Sequence, residues 1–425
     1  MRGKCLAIST LLLCGAFAVT PGRLAAQATR ADSLEARIRE LEARIDSLVA
    51  ALQRGDTTHG AVDQLAALRA AARKAAQSQP PPDTTDQSSR TRSLQALNPE
   101  ISVTGDVVGD YTAPPGPGDN VTAVPREFEF SFQAALDPYT HTKIFATREE
   151  DFSIAGLPGP EDEGGGGFEI EEGYMYWVGL PGGLGAKIGK FRQEIGLYNR
   201  WHTHALLEVD RPLAPVTFLG EGLVQTGASI TLPSLTLGPA TQTLTAEVTR
   251  GSNEALFDGG DRISYLLDLQ SFWDLSASSY FQAGATGVYG ENDGESLVSR
   301  LLALDLAYRW RPPGRSLYRD FSLKAEWYFA QKDFGPGELT GNGGYAQANY
   351  RLDRRWIVGA RADYVSDYGG GPEIVQLVPS LTWWQSEWVR LRLQYNYVKP
   401  KDGQSSHTVL LQSVWAVGPH KHETY

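Results

Sequence analysis

The stretch VRLRLQYNY (389–397) sets Val389, Leu391, Leu393, Tyr395 and Tyr397 on one side and Arg390, Arg392, Gln394 and Asn396 on the other. Side chains alternating with a period of two belong to a β-strand with one apolar and one polar face. The pattern recurs along the chain. FEFSFQAAL (128–136) opposes Phe128, Phe130, Phe132, Ala134 and Leu136 to Glu129, Ser131 and Gln133. FSLKAEWYF (321–329) opposes Phe321, Leu323, Ala325, Trp327 and Phe329 to Ser322, Lys324, Glu326 and Tyr328. LLALDLAYRW (301–310), WIVGARADY (356–364) and IVQLVPSLTWW (374–384) read alike.

A soluble sandwich also alternates, so length and punctuation decide between the two. Strands in soluble sheets have a mode of roughly 5–6 residues, whereas these segments run longer. Aromatics gather at their ends, at Tyr308 and Trp310, Trp383 and Trp384, Tyr395 and Tyr397, as the two interfacial girdles of a transmembrane strand require. Strands are expected near 99–111, 124–137, 139–151, 168–180, 184–196, 223–233, 241–251 and 262–272. Eight more fall near 278–290, 298–310, 320–332, 343–352, 355–367, 374–385, 388–399 and 407–417. Sixteen is an even number, as in a closed bacterial barrel with both termini in the periplasm. Short connections such as DP (137–138), PGG (181–183), DRR (353–355) and SEW (386–388) alternate with long ones such as FSIAGLPGPEDEGGGG (152–167) and GSNEALFDGGD (251–261). The expected fold class is all-β: a 16-stranded antiparallel transmembrane β-barrel over residues 98–425, preceded by a short periplasmic α-helical coiled coil.

Residues 1–28 read as a secretory signal peptide, with Arg2 and Lys4 before the apolar run CLAISTLLLCGAFAV (5–19) and small residues in LAAQA (24–28). That run is short of the roughly 20 residues of a spanning helix. Both cysteines, Cys5 and Cys14, fall inside it, so the exported chain has no disulfide or thiolate site. Removing Arg2, Lys4 and Arg23 leaves 36 basic against 50 acidic residues, a net charge of −14. No nucleic-acid partner is expected of such a chain, because nucleic acids select a basic surface. In 29–55, Leu34, Ile38, Leu41, Ile45, Leu48 and Leu52 are spaced 4, 3, 4, 3, 4, the heptad seam of a self-associating coiled coil. Residues 56–97 hold the Ala-rich helix VDQLAALRAAARKAA (62–76) and the Pro-rich linker QSQPPPDTTDQSSRTRS (77–93).

A sixteen-strand barrel is wide enough to leave an aqueous channel. Its inward faces are expected to be polar throughout, with Glu129, Asp305, Arg309, Lys324, Glu326, Arg361, Asp363, Arg390 and Arg392 as lumen-lining candidates. Both signs are mixed and no single-sign ladder appears, so neither anion nor cation preference is readable.

Between the fifth and sixth strands lies YNRWHTHALLEVDRPLAPVTFLGEGL (198–223), which concentrates Arg200, His202, His204, Glu208, Asp210 and Arg211. Three chemistries fit. The six residues can line the narrowest part of a pore, or His202 and His204 can join a carboxylate around a metal. The third is hydrolysis, but no Ser stands beside these histidines to act as nucleophile, so no enzymatic activity is expected. His420 and His422 repeat the His-x-His spacing in the tail.

The architecture resembles the phosphate-selective porins O and P and their porin-like relatives. The local match lies in GLGAKIGKFRQEIGLYN (183–199), DRPL (210–213) and FLGEGL (218–223). The resemblance implies that the 198–222 connection is the third outer loop, folded into the barrel and narrowing it. It further implies passive diffusion of small polar or ionic solutes, no cofactor or resident metal, and a homo-oligomer, as a trimer, in the outer-membrane lipid bilayer. Phosphate specificity does not follow, since the basic inner ladder that would justify it is missing. Two alternatives stay open: a metal-binding or metal-passing barrel, and a structural tethering barrel without significant conductance.

Overall fold

The computed structural model describes residues 99–418 except 115–120, 151, 155–156, 158–166, 221, 260–261, 293–296 and 336. The expected signal peptide, coiled coil, 56–97 segment and 419–425 tail lie outside the described residues.

The strands are β1 (Glu100–Ala113), β2 (Val121–Ala135), β3 (Thr140–Glu149), β4 (Glu169–Leu180), β5 (Leu184–Arg192), β6 (Val224–Thr231), β7 (Leu235–Leu237) and β8 (Ala240–Arg250). They continue as β9 (Ile263–Ser276), β10 (Ser279–Glu291), β11 (Val298–Trp310), β12 (Asp320–Asp333), β13 (Glu338–Arg351), β14 (Trp356–Val365), β15 (Ile374–Trp384), β16 (Val389–Pro400) and β17 (Ser406–Val417). β6 and β7 both pair with β8, so they are two parts of one interrupted strand, and sixteen strands wall the barrel. All pairings are antiparallel, and β1 pairs with β17 from Val103↔Val417 to Ala113↔His407, closing the ring. Closure leaves no unpaired edge, as a strand-built membrane span requires.

Burial along the strands is inverted relative to a soluble protein. Leu393 and Leu411 are 50% and 59% exposed, while Asn396 and Gln412 on the same two strands are fully buried. The apolar residues of the alternation face outward and the polar ones inward, the pattern of a barrel wall suited to lipid.

Among several register shifts in the described strands, two bulges lie beside the loop that follows β5. Asp106 pairs with Glu127 but Val108 pairs with Val124, so Pro125 and Arg126 together oppose Val107. Proline is tolerated there because a bulge residue needs no ladder N–H. On β4, Phe145 pairs with Glu172 and Ala146 with Ile170, leaving Glu171 as the extra residue. At each bulge, consecutive residues turn inward instead of alternating.

The structure corrects three expectations. The fifth strand ends at Arg192, not 196, because Gln193 leaves the ladder to start the long loop. β13 begins at Glu338, five residues earlier than expected. The inward faces are not polar throughout: Leu266, Val288, Leu301, Ala303, Tyr328 and Ala330 form a buried apolar patch. They receive α1 (Leu213–Leu219), a short helix inside the loop whose Leu213, Ala214, Phe218 and Leu219 need burial. An apolar helix face brought inside a barrel is stable only against an apolar wall.

Candidate functional site

The β5–β6 connection, 193–223, folds against the inner wall and is irregular apart from α1 and a 3₁₀ turn at Thr203–Ala205. Irregular backbone at membrane depth is tolerated only where its amides and carbonyls find partners inside the protein. Side chains of the wall supply them.

The neck of the loop is closed by Asn199. Its Nδ2 donates to the carbonyls of Gln193 (2.8 Å) and Leu223 (3.2 Å), and its Oδ1 accepts from the Leu223 amide (2.7 Å). Beyond it, Glu326 Oε1 accepts from the amides of Leu197 (2.5 Å) and Tyr198 (2.9 Å) and from the Tyr345 hydroxyl (2.8 Å). This cradle needs Gly196, at φ +58°, because a Cβ there would sit 2.6 Å from Glu326 Oε2.

Asp210 accepts from side chains of three successive strands. Its carboxylate takes Arg361 Nη2 (2.7 Å), Gln376 Nε2 (3.1 Å), Gln394 Nε2 (2.5 Å) and Asn396 Nδ2 (3.2 Å). Arg361 Nε also donates to Asp363 (2.8 Å). Arginines donate to the loop carbonyls: Arg390 to those of His204 and Leu206, Arg392 to that of Leu206 (3.0 Å), Arg126 to that of Val209 and Arg361 to that of Asp210 (2.8 Å). Tyr198 donates its hydroxyl to Glu208 (2.5 Å), and burial together with the Glu208 charge raises its pKa well above that of a free phenol.

Of the six residues expected to line a constriction, the structure buries His202, His204 and Glu208 against the wall and leaves Arg200, Asp210 and Arg211 partly exposed. Around the turn the exposure alternates, with Trp201, Thr203, Ala205 and Leu207 partly exposed between buried neighbours. One edge of the loop is fastened to the wall and the other stays partly exposed. Arg211 donates to the carbonyl of Trp201 (2.8 Å), and Lys324 Nζ lies 4.9 Å from the centre of the Trp201 ring, within cation–π range. Among the lumen candidates, Glu129, Glu326, Arg361, Asp363, Arg390 and Arg392 face inward but are covered by the loop. Asp305 is buried and accepts from Gln270 (3.0 Å), while Arg309 is a third exposed and pairs with Asp320 (2.6 Å).

The loop carries its histidines to a cluster of carboxylates that the sequence reading missed apart from Glu129. His204 donates its backbone N–H to Glu127 (2.9 Å), and its Nδ1 lies 2.9 Å from the same carboxylate. His202 Nε2 lies 2.8 Å from Glu172, and Nδ1 lies 2.9 Å from Glu171 and 2.7 Å from Glu129. Phe145 covers the imidazole at 4.5 Å. Burial opposes protonation of both rings. For His202 the charges of Glu171 and Glu129 outweigh it, for His204 those of Glu127 and Glu129, and both pKa values rise, that of His202 well above the ordinary range. Glu127 shares the parity of Glu129 and was legible in the residue just before FEFSFQAAL. Glu171 and Glu172 both face inward through the β4 bulge, which no periodicity announces.

The chain matches no protein-family model. It is 27% identical over 272 residues to an uncharacterized protein of Aquifex aeolicus, a match covering 56% of this chain and about half (53%) of that relative's length. In three dimensions it is similar to OprB of Pseudomonas putida in its high-pH structure, with a TM-score of 0.56, 13% identity, and coverage of 77% of this chain and 96% of that one. It is also similar to an anion-selective porin from Comamonas acidovorans, with a TM-score of 0.53, 11% identity, and coverage of 75% and 99%. What the solved structures share with this chain is the fold, a closed porin-like barrel.

Proposed function

We propose that the protein is an outer-membrane porin through which small polar or ionic solutes diffuse passively, narrowed by the 193–223 loop. The observation behind this is the loop's two-sidedness. One edge is fastened to the wall through Asp210, Glu326 and four arginines, while Arg200, Trp201, Thr203 and Arg211 border the lumen. Fixed polar and charged groups at the narrow zone of a wide barrel are what sets passage by size and charge. The barrel sits in the outer-membrane bilayer as a homo-oligomer, a trimer, and requires no cofactor. Membership among phosphate-selective porins has little support from the lumen, where the wall arginines are engaged by loop carbonyls and by Asp210 and Asp363.

Planar-bilayer recording on the purified full chain tests the proposal. Stepwise, ohmic conductance with a measurable reversal potential in a salt gradient is expected. A silent barrel of correct β-content would refute the channel and leave a structural, tethering role. Native mass spectrometry in detergent reads the oligomer number.

A further inference from the structure

The geometry assigns a divalent transition-metal site, of the zinc class, to His202, Glu129 and Glu171, with His204 beside it and Glu172 as the group that orients the His202 ring. The site does not depend on whether the barrel conducts.

Three observations converge. First, the donors are already gathered: His202 Nδ1 stands 2.7 Å from Glu129 Oε2 and 2.9 Å from Glu171 Oε2. One ligand atom from each of the three lies within 4.8 Å of the others, and the same holds for Glu127, Glu129 and His204. Metal–ligand bonds of roughly 2.0–2.2 Å set tetrahedral edges near 3.3 Å, so the donors need to part by only a few tenths of an ångström. Second, Glu129 is 1% exposed and its carboxylate meets only the two imidazoles, His202 Nδ1 at 2.7 Å and His204 Nε2 at 3.9 Å, with no backbone amide, hydroxyl or guanidinium donating to it among the described residues. Glu171 and Glu129 both crowd Nδ1, and its single proton cannot serve both carboxylates. Two buried carboxylates sharing one imidazole nitrogen are incompletely compensated, and a metal at this point would coordinate Glu129, Glu171 and the imidazole at once. Third, the outer partner is in place. His202 Nε2 lies 2.8 Å from Glu172 Oε1, and a carboxylate holding the far N–H of a ligating imidazole fixes its tautomer and raises its basicity. Glu171 meanwhile uses its other oxygen for Arg192, so Oε2 stays directed at His202.

Imidazole with carboxylates suits zinc and its first-row neighbours, whereas magnesium and calcium prefer all-oxygen sites. A cavity of about 20 Å³, room for about one water, touches both His202 and Glu172. Bound there, the metal would join β2 and β4 to the loop at one point and fasten its histidine edge to the wall.

The test is zinc titration by calorimetry on the full-length, chelator-treated protein, in a background carrying His420→Ala and His422→Ala to remove the tail. One zinc per chain is expected, with magnesium not competing. Glu129→Gln should weaken binding by at least about 100-fold, and Glu172→Gln, which alters only the orienting partner, by about 10- to 100-fold. Each variant is checked for unchanged β-content. Should Glu129→Gln fail to fold, X-ray absorption on the zinc-loaded parent decides: imidazole nitrogen with carboxylate oxygen at about 2.0–2.2 Å supports the site. Absence of binding, binding unchanged in both variants, or a zinc shell without imidazole would each overturn it.

Discussion

Arg361 and Asp210, 151 residues apart in the chain, form the joint that holds the far half of the loop to the wall, with Nη2 2.7 Å from Oδ2 and the guanidinium side chain fully buried. Removing one member of a buried pair leaves the other uncompensated, at a cost of about 3–5 kcal/mol. Asp210→Ala should therefore undock the segment, because Gln376, Gln394 and Asn396 lose their acceptor as well. Faster proteolytic cleavage within 193–223 and a larger, noisier single-channel conductance are expected, and an unchanged cleavage rate would remove Asp210 from this role.

Gly196 supplies a second joint that can be broken without touching a charge. Alanine at its positive φ is strained by about 1–3 kcal/mol, and its Cβ would press on the carboxylate of Glu326. Gly196→Ala should lower the melting temperature of the refolded barrel. Gly183, also at positive φ, lies in the β4–β5 turn with only Pro233 near its Cβ, so Gly183→Ala should not alter loop cleavage.

Charge selection, if the barrel conducts, falls to groups on the free edge of the loop. Arg200 faces Glu194 at 2.8 Å and Arg211 is partly exposed. Changing both to Gln should move the reversal potential in a potassium chloride gradient toward cation preference. The shift should shrink as salt is raised, because exposed charges are screened over about 10 Å at 0.1 M. A salt-independent shift would point to altered loop shape instead.

The turn at β13–β14 has its own acid sensitivity. Asp353 Oδ1 accepts from the amides of Arg355 (2.7 Å) and Trp356 (2.9 Å), and these bonds lower its pKa. A group with a depressed folded pKa contributes stability above its unfolded value, near 3.9, and that contribution is lost as pH falls through the lower folded value. Unfolding of the wild type should become easier as pH falls below about 4, with Asp353→Ala showing a shallower dependence there.

Much of the wall could be read from the chain because period-two alternation reports directly which side chains meet lipid. VRLRLQYNY became β16 with its polar residues inside, and the sixteen-strand count followed from the same rule. The docking chemistry was less accessible. His202, His204 and Asp210 were conspicuous as residue types, but their partners lie 30 to 186 residues away, and only the ring closure brings them together. The apolar inner patch was hidden for another reason: Leu301 and Ala303 belong to a strand whose other face is equally apolar, so no contrast marks the change.

The two bulges also bear on how this wall tolerates change. Each shifts the odd–even assignment of its strand by one, so β4 faces lipid with Ile170 on one side of Glu171 and with Met175 on the other. Single-residue deletions elsewhere in a strand would exchange its lipid and lumen sets, but deletion of Glu171 would restore a continuous frame from Glu169 to Trp177. That deletion should be accepted by the bilayer while erasing one of the carboxylates that meet His202. The cluster thus exists at a change of reading frame in the barrel wall, where a length variant can remove chemistry and leave the membrane span whole.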